Sequence, residues 1–537
     1  MNTTPTPPTS AKKASKRRGV VLIAVLVVIT LLSLAGYQYS EMMLAEYKVA
    51  HFAHRNMQAE CFAKAGIHYA MAMLSNPDNF YNTLGGNPYD NPGLFQDHAI
   101  ETEVGVKGRF SLIAPADPSD PTKGIAFGVM DEGGKINLNA MMKLDPTGES
   151  AHKMLLMLPN MTEEIALAIV DWMDPDSDTR PGGAESDHYL GLKPQYRAKN
   201  GPIDSIDELL LVRGVDHKLL YGSDWNRNGA QDSSEGTQGF DRGWSAFLTV
   251  HSREQNYDFA GKPFIFINNP DLSQLKLALE EAEIDENLIK FIIMRRQYGP
   301  PSQSGGQQSL GSAIAALLGG GSSKSSNTQN VEGDLSAYET NLKKKPRNEP
   351  INSVFDFVDG FATIPGKKDP KTNKTTNTIY ASPLNDPNML QTELPKLYNI
   401  ITFVDPTTET EIPPRINVNT APMEVLATLP FTETELAKIL SIRSTLASGE
   451  LVSDPIYQTP AWLFTEAQVD IGTLRKLEKY ITTRTQVFRV QSVGYFENGG
   501  PAVRVEAVID TNGGRPRVIA WRNMTNLGKG WSTEENP

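Results

Sequence analysis

In Lys16-Arg17-Arg18-Gly19-Val20-Val21-Leu22-Ile23-Ala24-Val25-Leu26-Val27-Val28-Ile29 a basic, polar segment gives way within one residue to an uncharged apolar one. The architecture follows from that break. Upstream lie Lys12, Lys13, Lys16, Arg17 and Arg18; downstream only Thr30 and Ser33 interrupt the apolar run before Gly36. A run of about 18 residues is just long enough to span a bilayer as a helix, and the flanking positive charges place the N-terminus in the cytoplasm and the bulk outside. No proline occurs from Val20 to Asn76, and the next is Pro77. Apolar residues continue at helical spacing, as at Phe62, Gly66, Tyr69 and Met73. The pattern predicts one helix over 20–76, about 55 residues and roughly 80 Å long, whose amphipathic outer half packs on a globular head.

Outward from this rod, an Asn/Gly/Pro-rich connection leads to predicted strands at 103–113 and 125–130. Three more are predicted at 487–493, 503–509 and 518–521, separated by turns carrying Asn498-Gly499 and Asn512-Gly513. Short hairpins are marginal alone, so the early and late strands are expected to share one sheet against the rod. The middle is then an insertion. The predicted division is 1–19, a leader; 20–76, the membrane and stalk helix; 77–134, the first part of the sheet; 135–265, 266–365 and 366–480, three helical units; and 481–537, the final strands. Residues 299–349, rich in Ser, Gln and Gly, are expected to be a flexible insertion in the second unit.

The three units read as imperfect repeats. Each opens on an Ile-Asn phrase: Ile136-Asn137-Leu138-Asn139, Ile267-Asn268-Asn269-Pro270 and Ile416-Asn417-Val418-Asn419. An apolar helix, an acidic turn and a second helix follow, the second helices falling at 163–172, 286–296 and 433–443. Two units close alike, on Pro202-Ile203-Asp204-Ser205 and Pro350-Ile351-Asn352-Ser353, and the third closes around Pro460-Ala461-Trp462-Leu463.

Two loops have the makings of metal sites. From Asp224 to Glu235 the chain places Asp224, Asn226 and Asn228 at positions 1, 3 and 5 of a calcium loop, glycine at 6, the Ala230 carbonyl at 7, Asp232 at 9 and Glu235 at 12. A hard cation needs such oxygens converging from one tight turn; the alternative is a polar surface loop. A second cluster, Asp174, Asp176 and Asp178, has Glu185 at the same offset but lacks the glycine, and its alternative is a solvated acidic loop capping a helix. The single cysteine, Cys61, excludes an intrachain disulfide and cysteine-based zinc sites. Catalytic motifs such as His-Glu-x-x-His, Gly-x-Ser-x-Gly or a phosphate-binding Gly-Lys loop are missing from the sequence. His51, His54 and His68 lie on the stalk, and Asp171 with Asp174 belongs to the acidic turn, so the chain is not expected to be an enzyme. Net charge is −12, from 51 basic and 63 acidic residues, and this argues against broad nucleic-acid binding.

The N-terminal segment resembles a type IV prepilin, whose basic leader ends in glycine ahead of a helix that is both anchor and filament stalk. That resemblance implies cleavage between Gly19 and Val20 by a prepilin peptidase. Most pilins carry glutamate at the fifth mature position; here it is Ala24, as in K-type pseudopilins. Several phrases resemble the general secretion pathway protein K family: Asp131-Glu132-Gly133-Gly134-Lys135 with Ile136 to Asn139, Asp171-Trp172-Met173-Asp174, Gly183-Ala184-Glu185 with Tyr189, and Asn417-Val418-Asn419-Thr420-Ala421. The resemblance covers nearly the whole chain from Gly19 and departs in length at 299–349. It implies an α+β fold, a type IV pilin-like N-terminal helix packed on an antiparallel sheet with a helix-hairpin-helix/SAM-like repeat domain inserted. It further implies a minor pseudopilin of a type II secretion system, single-pass in the inner membrane with its bulk in the periplasm, and structural calcium in both loops. The implied partners are the I- and J-type minor pseudopilins, the major pseudopilin, the inner-membrane assembly platform and the prepilin peptidase. Two rivals make different demands. A competence-type DNA receptor would need helix-hairpin-helix turns that grip phosphate, yet those around Glu163, Glu286 and Glu433 are acidic. A secreted calcium-dependent adhesion protein would be cleaved after Ala35.

Overall fold

The computed structural model describes residues 17–76, 83–85, 87–100, 107–117, 121–232, 235, 240–258, 261–300, 330–332, 335, 341–347, 349–364, 378–447 and 455–531. Helix α1, Arg17–Ser75, is the predicted rod, unbroken because no proline or glycine pair interrupts its apolar run. It is long and apolar enough to cross a membrane. Its side chains are exposed from Val20 through His54 and become core only from Ala59.

The outer end of α1 lies on an antiparallel sheet built from both ends of the chain. The strands are β1 (His98–Ile100), β2 (Gly108–Pro115), β3 (Ile125–Ala126), β4 (Met130–Asp131), β5 (Val487–Phe496), β6 (Val503–Asp510) and β7 (Arg517–Asn523). They run in the order β1-β2-β5-β6-β7, with β3 beside β2 and β4 beside β5. The predicted sharing of one sheet by early and late strands is therefore observed; residues 103–106 of the first predicted strand lie outside the described residues. The predicted 125–130 strand is two short strands instead, parted at Phe127-Gly128-Val129. Gly128 is packed so closely on the Tyr89 carbonyl that a side chain would not fit there.

Alternation along β5 and β6 separates two chemistries. Phe488, Val490, Val503, Val505, Ala507 and Ile509 face α1 and form one core with Phe62, Ile67 and Phe110. Gly66 and Gly494 permit this approach, since a Cβ on Gly494 would overlap the Ala59 carbonyl and the Ala63 amide. Arg489, Gln491, Arg504, Glu506 and Asp510 occupy the other face and are also buried or nearly so, beneath the insertion. Parity alone puts them there.

The insertion holds a second, larger core that runs through all three units. Each unit is closed by a two-residue parallel pairing of distant strands: Ile136–Asn137 with Leu248–Thr249, Ile265–Phe266 with Ile401–Thr402, and Ile416–Asn417 with Ile481–Thr482. An asparagine just beyond each opening strand ties the unit internally. Asn139 exchanges hydrogen bonds with the Ile203 backbone (2.9 and 3.0 Å), and Asn268 does the same with Ile351 (2.8 and 2.8 Å). Asn419 donates to the Tyr457 carbonyl and accepts from the Trp462 indole (both 3.0 Å).

These bonds correct the repeat register. Asn268 matches Asn139, so the second unit opens at Ile265-Phe266-Ile267-Asn268, two residues before the Ile-Asn match in sequence suggested. The predicted boundary at 365/366 falls inside the closure of the second unit by Ile401–Thr402. Within 299–349, expected as a flexible insertion, Asn330–Glu332 is a strand alongside Thr378–Ala381, and the Arg347 amide bonds the Arg296 carbonyl at 2.8 Å. Most of the remainder of 299–349 lies outside the described residues. The predicted second helices are Glu163–Met173, Glu286–Tyr298 and Glu433–Ala447; the first two are capped by the Thr162 hydroxyl and the Asp285 carboxylate.

Candidate metal centres

The loop from Asp224 follows a one-turn helix, His217–Tyr221. It turns tightly because Arg227 (φ 57°) and Gly229 (φ 79°) adopt left-handed backbone conformations. Asp224, Asn226 and Asn228 point inward and are buried. The Asp224 carboxylate accepts the amides of Asn228 (3.2 Å) and Gly229 (2.8 Å), and the Asn228 side-chain oxygen accepts the Ala230 amide (2.8 Å). The amide groups of Asn226 and Asn228 both donate to Asp232 Oδ2, and Glu235 Oε2 accepts the Asp232 amide at 3.0 Å. Glu235 Oε1 is buried with no hydrogen-bond donor. Burial pushes Asp224 up to about 6, and burial with the neighbouring Asp224 and Asp232 charges pushes Glu235 up. A confined oxygen-rich turn whose carboxylates resist ionisation fits a hard cation, which would favour their charged forms. Residues 233 and 234 lie outside the described residues.

The same loop is clamped to the sheet. Arg504 on β6 donates to the carbonyls of Asn226 (2.9 Å) and Arg227 (3.1 Å), Gln491 on β5 donates to the Arg227 carbonyl (2.8 Å), and Asn228 donates to the Gly530 carbonyl (2.6 Å). Sequence reasoning missed this clamp, because Arg504 and Gln491 sit in two strands whose pattern does not show what covers their second face.

At the second candidate, the oxygens of Asp174, Asp176 and Glu185 lie within 4.8 Å of one another, the one such carboxylate group among the described residues. Asp174 closes the helix Glu163–Met173, and Glu185 begins a short helix, Ser186–Leu190. Asp174 Oδ1, Glu185 Oε1 and the Asn200 side-chain oxygen are buried without donors. Burial raises the Asp174 and Glu185 pKa values, and for Asp174 the Arg180 guanidinium opposes that rise. This set also fits a calcium ion, although Arg180, bonded to Asp171 Oδ1 at 2.7 Å and to Asp174 Oδ2, partly fills its charge demand. Asp178 is not brought into the group; it is exposed, and its amide donates to Asp176 Oδ1 at 2.9 Å. Asn200 packs beside this turn, its side-chain amide donating to the Asp176 carbonyl. Sequence spacing gave no sign of Asn200, which returns from beyond Tyr189 and Tyr196 to bond Ser177 Oγ at 3.1 Å. Asp171 is the buried partner of Arg180 and not one of the gathered oxygens. Gly19 and Val20 lie within α1, far in sequence from both loops, and Val20 is exposed.

Helix, sheet and inserted helical units define a chain with an apolar N-terminal rod and a two-ended α+β head. Residues 134–221, which hold the second candidate centre, match the family model described as type II secretion system (T2SS), protein K. The protein is similar to type II secretion system protein K of Klebsiella pneumoniae, at 24% identity over 215 residues covering 38% of this chain and 60% of the relative. It is likewise similar to the proteins of that name from Pectobacterium carotovorum subsp. carotovorum and Pseudomonas aeruginosa. There identity is 39% over 70 residues (12% of this chain, 21% of the relative) and 32% over 93 residues (16% and 28%), respectively. These matches thus span less than two thirds of each relative. Among solved structures, a chain of the GspK-GspI-GspJ complex from enterotoxigenic Escherichia coli aligns with TM-score 0.32 and 11% identity, over 88% of this chain and 98% of that one. The family resemblance expected from the sequence is thereby found.

Proposed function

We propose that this chain is a K-type minor pseudopilin of a type II secretion system, anchored in the inner membrane by the first part of α1 with its head in the periplasm. The observation that carries this reading is the match of residues 134–221 to the protein K family, in a chain whose apolar rod packs its outer end on the head's sheet. In this reading a prepilin peptidase cuts between Gly19 and Val20, and the freed rod enters a helical filament. The head, widened by the insertion, leaves no room for a following subunit. The chain therefore caps the pseudopilus tip with the I- and J-type minor pseudopilins and helps initiate assembly on the inner-membrane platform beneath the major pseudopilin. The role is structural, with no reaction catalysed.

Calcium belongs to this proposal. Asp224, Asn226, Asn228, Asp232, Glu235 and the Ala230 carbonyl would hold one ion, and Asp174, Asp176, Glu185 and Asn200 a second. Each ion supplies positive charge to buried carboxylates and stabilises the head by mass action. N-terminal sequencing of the protein from membranes tests the processing: a start at Val20 is expected, and a start at Gly36 would overturn the pseudopilin reading. Calcium content of the purified chain is expected to fall by one ion in Asp224→Ala and by one in Glu185→Ala; a wild-type protein without calcium refutes the metal sites. A DNA receptor would bind duplex DNA in a salt-dependent way, and the acidic turns predict no such binding.

A further inference from the structure

Where the first unit, the third unit and the polar face of the sheet meet, they line a partly open cavity of about 810 Å³, within the size range of sites for small organic ligands. Most charges on its wall are already satisfied. Arg489 is paired with Glu132 and Glu506, and Arg522 with Asp207. The Asp131 carboxylate is taken up by donors from Gly133, Asn417, Thr420 and Thr485. Two guanidinium groups stand apart from this balance. Arg443, on the helix Glu433–Ala447, makes one hydrogen bond, to the Ala421 carbonyl at 2.6 Å, and no ion pair among the described residues, although the charge of Asp117, also on the wall, acts on it. Burial pushes it down only to about 10, so it keeps its charge at neutral pH. Arg227, from the loop of the first unit, lies 3.6 Å over the Tyr221 ring and 3.4 Å from His217 Nε2; it makes no ion pair among the described residues, though the charges of Asp207, Glu506 and Asp224 act on it from a distance. The lining also carries apolar side chains, Val129, Ile206, Met423 and Leu440 among them.

We propose that this cavity binds an organic monocarboxylate, its head group held by Arg443 with Arg227 as second anchor and its apolar body on Ile206, Met423 and Leu440. A planar guanidinium with free N–H groups matches a carboxylate in two-pronged geometry. The nearby Asp117 and Asp131 disfavour a more highly charged anion, which sets a carboxylate above a phosphate ester. Such a head group has two sources, a free fatty acid or the C-terminus of a polypeptide. The proposal stands apart from the secretion role and from calcium.

Calorimetry on the detergent-solubilised full chain in calcium buffer tests it, with hexanoate and a short apolar peptide as probes, each beside its uncharged amide. Binding of either acid with at least about tenfold preference over its amide is expected; the acid that binds more tightly identifies the source. In Arg443→Gln the affinity is expected to fall about tenfold or more at an unchanged thermal midpoint. Arg227→Met, which keeps the backbone carbonyl used by Arg504, gives the same readout should the first variant misfold. Absence of binding by both acids at millimolar concentration, equal binding of acid and amide, or undiminished binding in a folded Arg443→Gln protein overturns the proposal.

Discussion

The two faces of the central sheet are buried to similar extents by opposite means. Toward α1 the contact is hydrocarbon: Phe62 meets Phe496 edge-on at 5.3 Å between ring centres, and Gly494 lets the helix touch the strand. Toward the insertion it is charge. Glu132 accepts from Arg489 at 2.7 Å and Lys135 at 3.2 Å, while Arg489 also binds Glu506 at 2.7 Å, all in near-complete burial. Burial opposes ionisation of Glu132, yet the Arg489 and Lys135 charges win and hold its carboxyl well below the usual range. An apolar seam depends on shape and tolerates sliding; a buried network depends on every partner being present and fixes one orientation. Rod and sheet are thus joined by close packing, and the insertion is joined to the sheet by directional bonds.

The sharpest way to break the contrast is Arg489→Met, which leaves Glu132 and Glu506 buried and unpaired. A loss of about 3–5 kcal/mol in chemical unfolding is expected, with most of it recovered when Glu132→Gln and Glu506→Gln are added. Among the described residues no ion pair joins α1 to the sheet, so there the test is volume. Gly494→Val is expected to cost about 3 kcal/mol, and its thermal midpoint is expected to be insensitive to salt. Arg504→Gln, which unlocks the Asn226 and Arg227 carbonyls, is expected to cost about 1–2 kcal/mol. It should speed amide exchange in 224–230 and leave 59–70 of α1 protected; equal loosening of both would refute separate seams.

The smallest effect concerns pH within the insertion. Burial pushes Glu478 up to about 7, against hydrogen bonds from Ser353 and the Val354 amide and the Arg415 charge. A raised carboxyl favours the folded state most below its ordinary value of 4.5, and that contribution is lost as pH climbs toward 7. Relative to wild type, Glu478→Gln is therefore expected to gain thermal stability by a few degrees between about pH 5 and about pH 8. A flat difference would contradict the shift.

The rod and the late strands were legible because hydrophobic period reports one buried face directly. The same rule is silent about the second face of β6. In Val503-Arg504-Val505-Glu506-Ala507 alternation looks like a sheet with one wet face, and only the insertion, folded from residues hundreds of positions away, makes that face interior. The repeats were visible in their Ile-Asn phrases, but in the second unit the side chain that matters is Asn268, and its partner Ile351 fixes the register by a bond no pattern displays. At the candidate metal centres the spacing named Asp174, Asp176 and Glu185, whose oxygens the structure gathers, and Asp178, which it leaves exposed. Asn200, brought beside Asp176 from a separate turn, leaves no periodic trace.

Met130 and Asp131 pair with Arg489 and Phe488, so the chain leaves the sheet for the insertion and re-enters it through neighbouring strands. Everything between these points is a side branch. α1 packs on β2, β5 and β6 without passing through the three helical units. Such a branch can lengthen or shorten while the contact of α1 with the sheet is kept.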